Sequence, residues 1–132
     1  MAKALCALLF VAVTTVAAQA APSQYLCTAE QAAALHYDGK AKTWAAQAFI
    51  PNDKFVLRRL SDDERKNWRS NAKWGFFGLG ETWPTALCGT EFDLTCLWGA
   101  VEFEPGLSWR LYKDNPNNPG GVIIETGKCS AL

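Results

Sequence analysis

Four cysteines, Cys27, Cys88, Cys96 and Cys129, follow the first 26 residues, and this even set constrains the fold more than any other feature of the chain. A fifth, Cys6, lies in a segment with the marks of a removable leader: Lys3, an almost uninterrupted apolar run from Ala4 to Ala17, and the small-residue pattern Ala18-Gln19-Ala20. That run is shorter than the ~20 residues a membrane-spanning helix needs. The reading is a signal peptide over 1–20 and a single secreted or periplasmic β-rich domain over 21–132, with no membrane insertion. In an oxidising compartment four cysteines read as staples. They allow three pairings, and sequence alone does not choose among them. The tendency of chain termini to lie together favours Cys27 with Cys129, which leaves Cys88 with Cys96 closing a short loop. Zinc is disfavoured, because the cysteines are not closely spaced and His36 is the single histidine. The chain also has no Cys-x-x-Cys for redox work. Leu26, rather than a small residue, precedes Cys27, which argues against lipidation.

Thirteen basic residues balance thirteen acidic ones, and loss of Lys3 with the leader leaves one net negative charge. Such a balance offers no footprint for nucleic acid. Six tryptophans are a high load for a chain of this length. Large aromatics serve cores and interfaces alike. Trp68, Trp74, Trp83 and Trp98 are the candidates for a binding surface.

Strand signals dominate. Lys54–Leu60 alternates, as do Ala100–Glu104 and Leu107–Tyr112, the last two joined by Pro105-Gly106 into a hairpin with one wet face. Leu35–Tyr37 and Thr43–Ile50 flank Asp38-Gly39 as a second hairpin. Val122–Ile124 is β-branched and reads as the last strand, while Trp74–Leu79 and Phe92–Trp98 are further short apolar runs. Ser61 and Glu64 fit a capping box for one short helix, anchored by Trp68 and Ala72. Alanine-rich Ala29–Leu35 suggests another helical turn. The expected fold is all-β: a small antiparallel barrel or sandwich of about eight short strands with one or two helical turns, stapled by disulfides.

No constellation of residues points to catalysis, and no cofactor or metal is implied. His36 is the one available imidazole base, at a strand end beside a turn. Glu102 and Glu104 share a strand face, with carboxylates about 6–7 Å apart, and read as an ordinary solvated pair. Arg58, Arg59, Arg65, Lys66 and Arg69 are interrupted by Asp62, Asp63 and Glu64, which cancel most of their charge. Gly75–Gly80 lacks the lysine of a phosphate loop, and its glycines suit a bulge or close packing beside aromatics.

Several residues together carry a resemblance: Tyr25-Leu26-Cys27, Tyr37-Asp38 followed by Trp44, Phe55–Arg58, Cys88, Leu94-Thr95-Cys96, Phe103, Arg110–Tyr112, and the ending Gly127-Lys128-Cys129-Ser130-Ala131-Leu132. In these the chain resembles a loosely defined family of uncharacterised short secreted bacterial proteins, departing from its pattern over Ser61–Lys73. The resemblance implies a bacterial, periplasmic setting and carries over no functional residue. A weaker, purely architectural likeness is to the periplasmic inhibitors of C-type lysozymes.

The expectation is therefore a non-enzymatic, monomeric secreted domain that binds a protein or envelope component through exposed aromatics. The alternatives are a small hydrolase using His36, or a ligand-carrying barrel with an interior cavity. Burial of every candidate tryptophan would remove the main support for the first.

Overall fold

The structure, a computed structural model, describes residues 22–89, 96–97 and 100–132. The signal-peptide reading, Trp98 and most of Phe92–Trp98 lie outside the described residues. The strands are β1 (Gln24–Asp38), β2 (Thr43–Phe49), β3 (Lys54–Arg59), β4 (Trp74–Gly78), β5 (Pro84–Cys88), β6 (Cys96–Leu97), β7 (Ala100–Glu104), β8 (Ser108–Asp114) and β9 (Val122–Ala131), with helix α1 (Asp62–Asn67) between β3 and β4. Every pairing is antiparallel, and the order is β6-β5-β4-β3-β1-β9-β8-β7. The two ends of that order, β6 and β7, are consecutive in the chain with two residues between them. A sheet whose edges are tied by so short a link must curl until they approach, and the result is a nearly closed barrel.

Its interior is aromatic. Phe55 stacks on Phe76 at 4.6 Å between ring centroids, and Trp109 meets their rings at 5.2 and 5.4 Å. Phe103 closes on Phe76 edge-on. Leu57, Val101, Leu111 and Ala86 fill the rest of the buried cluster. Room for the Trp109 indole comes from Gly127, directly opposite in register: a Cβ there would lie 2.7 Å from the ring and 2.1 Å from the Thr28 carbonyl oxygen. Both disulfides join residues directly opposite one another on paired strands, Cys27 with Cys129 and Cys88 with Cys96.

Outside the barrel wall, Leu60, Ala72, Phe77 and Leu87 form a second buried cluster with Trp68 against it. The α1 segment passes over this flank, and its capping box is complete: Ser61 Oγ accepts from the Glu64 N–H while the Glu64 carboxylate accepts from the Ser61 N–H. Gly75 lets the Phe77 ring and Leu60 come close to the β4 backbone, and β4 slips register against β5 at Phe76/Phe77.

The expected helical turn at Ala29–Leu35 is not formed. This segment is the middle of β1, where backbone pairing to β9 on one side and β2 on the other outweighs alanine's helix preference. The long β1 also explains the topology, because β2 and β3 lie on the same side of it, with Phe49 opposite Ala32 and Lys54 opposite Thr28. They act as one long partner strand broken at Ile50–Asp53, where Pro51 cannot donate a ladder bond. Across the break the Ala29 N–H donates to the Asp53 carbonyl, and β1 carries an irregularity between Ala29 and Gln31. Beyond the break, β2, the far half of β1, the start of β9 and the end of β8 make a four-stranded extension of the barrel wall.

Candidate functional site

Residues opposite each other on paired strands point to the same side of a sheet. On the inward side of the extension, Ala32, Glu125 and Leu111 stand in one row, and all three are buried. Glu125 is the buried charged residue of the described chain, 1 % exposed. The Lys113 ammonium reaches it from β8, with Nζ 2.5 Å from Glu125 Oε1 and 2.6 Å from Asp53 Oδ2. The second Glu125 oxygen, Oε2, has no hydrogen-bond partner, and neither has the buried Trp109 Nε1. Burial pushes the Glu125 carboxyl above its ordinary range, whereas the bond from Lys113 holds the Asp53 carboxyl below. Burial works against the Lys113 charge, and its two carboxylate partners nevertheless hold its ammonium above the usual lysine value. Divergent carboxyls are the mark of acid–base pairs. Here, however, Glu125 is sealed from solvent, so the cluster's evident work is mechanical: it ties the Asp53 break to β8 and β9.

His36 is half-buried on the inward side of the extension, in a hollow of about 380 Å³ with Gln47, Phe49, Asn115, Asn117 and Asn118 among its lining. That lining presents amides and apolar groups, and the carboxylate that feels the His36 charge, Asp38 two residues along β1, has its Oδ1 taken by the Lys40 and Ala41 N–H groups of the turn. Glu102 and Glu104 both bind Arg110, at 3.1 and 2.7 Å, across a solvated face. In the basic segment, Arg58 forks onto both oxygens of Glu64 at 2.9 and 2.7 Å, and Arg65 pairs with Asp62. Arg58 also lies over the Phe77 ring at 4.1 Å, and Arg59 over Trp74 at 5.0 Å.

The candidate tryptophans divide. Trp74 is buried beside Tyr25, inside the barrel end, and is not available to a partner. Trp68, the C-cap residue of α1, is half-buried between Phe77 and Trp83, with ring centroids 6.1 and 6.2 Å away. Trp83 is 70 % exposed on the β4–β5 connection, and Leu79 on the same connection is also exposed. The structure thus brings Trp68 and Trp83 together on the α1 flank.

A second apolar surface, on residues outside that candidate set, lies on the outward face of the extension. Trp44 is 60 % exposed and packs on exposed Tyr37 at 5.5 Å, with Leu35 next along the row. Further down the same face, Ala33, Ala48 and Ile124 floor an apolar groove of about 580 Å³ bounded by Phe49 and Ile50. The signal for this surface was present in Thr43–Ile50, eight residues without a charge. Among the described residues, no group of histidine, cysteine, aspartate and glutamate side chains is arranged to hold a metal ion, and no helix is long and apolar enough to cross a membrane. No protein-family model matches the chain, and no curated protein or solved structure matches it.

Proposed function

We propose that this chain is an exported, non-enzymatic binding or inhibitor-type protein that contacts a protein or envelope component through the Trp68–Trp83 pair. The observation that carries this reading is the contrast between a barrel interior filled by Phe55, Phe76 and Trp109 and an indole held 70 % exposed at Trp83 on a half-buried Trp68. A filled interior speaks against the ligand-carrying barrel. The amide-lined surroundings of His36 speak against the hydrolase. Two disulfides within a chain that begins like a signal peptide support export, as does the resemblance to short secreted bacterial proteins.

Trp83 is well suited to an anchor role. An aromatic that is exposed in the free protein and backed by a second ring supplies large contact area at little cost in side-chain freedom. The test is co-sedimentation of the purified, disulfide-bonded chain with isolated bacterial envelope fragments, read alongside tryptophan fluorescence. Wild type sediments and its emission shifts to the blue, and Trp83→Ala weakens binding by about tenfold or more while melting like wild type. Equal binding by wild type and Trp83→Ala, or none by either, would sink the proposal.

A further inference from the structure

The free edge of β2 points to a second copy of this chain. Among the described residues β2 pairs with β1 alone, and every residue of it except Ala45 is exposed. Unpaired strand edges are ordinarily guarded by lysine, proline or a bulge. Within Thr43–Phe49 there is none of these, and the nearest guards, Lys42 and Pro51, stand just beyond its two ends. We infer that two copies pair antiparallel through their β2 edges about a two-fold axis at Ala46, each placing its Trp44 against the apolar groove of the other.

Three observations choose this occupant. First, opposed residues must face the same side, so the dyad falls on a residue, and only Ala46 gives all of β2 a partner. Second, that register is self-complementary in size: Trp44 falls opposite Ala48 of the second copy, Phe49 opposite Thr43, and Ala46 opposite itself. Ala48 is a floor residue of the 580 Å³ groove and lies beside Ala33 and Ile124, so the exposed indole and an open apolar hollow are brought together twice by one axis. An isologous interface demands that kind of reciprocity. Third, the strand carries no charge, so two copies meet without like-charge repulsion. The same register takes Lys42 of the second copy toward the Ile50 end of the groove, which Glu30 lines. A strongly charged foreign strand would gain the backbone ladder alone, with no apolar side chain to seat in the groove. The pairing is independent of the Trp68–Trp83 surface and sets aside the monomer expected from sequence.

Sedimentation velocity of the disulfide-bonded chain across a concentration series tests it. Wild type populates a dimer as concentration rises. Ala46→Glu puts two carboxylates face to face on the axis and raises the dimer dissociation constant at least about tenfold, equivalent to ~1.4 kcal/mol. Trp44→Ala, which empties both grooves, weakens the dimer comparably, and Trp83→Ala leaves it intact. Ala46→Cys supplies a readout that needs no destabilised variant: cross-strand Cβ atoms on the axis are about 4.5–5.5 Å apart, so mild oxidation gives a disulfide-linked dimer, whereas Ala41→Cys in the β1–β2 turn does not. A wild type that stays monomeric up to millimolar concentration overturns the inference. So does an Ala46→Cys that links no faster than Ala41→Cys.

Discussion

At Cys27, β1 runs between β3 and β9 with its side chain sealed and bonded; at Leu35 and Tyr37 the same strand carries apolar side chains open to water. The barrel end and the extension share backbone ladders and strand register but differ in what lies on their faces. Around the barrel, curvature lets inward side chains from every strand meet on one axis, so Phe55, Phe76 and Trp109 satisfy one another. The extension is not closed into a ring, and among the described residues β2 pairs with β1 alone, so its apolar side chains meet only their neighbours on β1, as Trp44 meets Tyr37, and stay open to water. Closure alone therefore decides whether the same residue types become core or surface, as Trp109 and Trp44 show.

The contrast is broken most severely by cutting the covalent tie between β1 and β9. Replacing both Cys27 and Cys129 by serine removes a cross-link spanning 102 residues, for which the chain-entropy account gives about 4.7 kcal/mol. Replacing both Cys88 and Cys96, eight residues apart, costs less than about 3 kcal/mol. Denaturant midpoints of the two double variants should rank in that order. Next comes the direct exchange of one aromatic in each region. Phe76→Ala should cost about 3–5 kcal/mol. Trp44→Ala, measured at low protein concentration, should stay within about 0.5 kcal/mol. Similar losses for the two would mean that the extension is as closed as the barrel.

The smallest effect concerns the flank, where Glu64 is tied to Arg58. The paired bonds from Arg58, helped by the Ser61 N–H, hold the Glu64 carboxyl well below its ordinary 4.5, at about 2. A depressed carboxyl contributes stability that is complete above its unfolded value and is lost as pH falls through its folded one. The advantage of wild type over Glu64→Gln should therefore be full above pH 4.5 and gone near pH 2 in thermal melts. Because the pair is partly solvated, that advantage should stay under about 1 kcal/mol. Asp53 follows the same direction through Lys113, and Glu125 runs opposite: its raised carboxyl favours the fold at low pH, and that contribution is lost as pH rises through the raised value.

Much of the barrel was legible along the chain because its signals are local. Alternation at Ala100–Glu104 and over Leu107–Tyr112, of which Leu107 falls in the turn before β8, the Asp38-Gly39 turn, the Ser61–Glu64 box and the preferred cysteine pairing all appear in the structure. Ala29–Leu35 misled because alanine reports helix preference and says nothing about strands on either side. The Asp53–Lys113–Glu125 cluster was invisible because its members come from three separate segments and meet only through the register of β8 with β9 and the break before β3. The tryptophans were equally opaque, since nothing in the residue type separates Trp74, which closes a core, from Trp83 or Trp44, which do not.

The bond between Cys27 and Cys129 also fixes how the folded chain bears a load. Tension applied at Pro22 and Leu132 enters through a few residues at each end and crosses directly from one sulfur to the other. Apart from Gln24–Leu26 of β1 and Ser130–Ala131 of β9, the barrel lies inside the loop so closed and is shielded from that force. Pulled by its ends, the oxidised protein should behave as a short tether with an intact barrel hanging from it, and the barrel should unravel under force only after a reductant has cut that one bond.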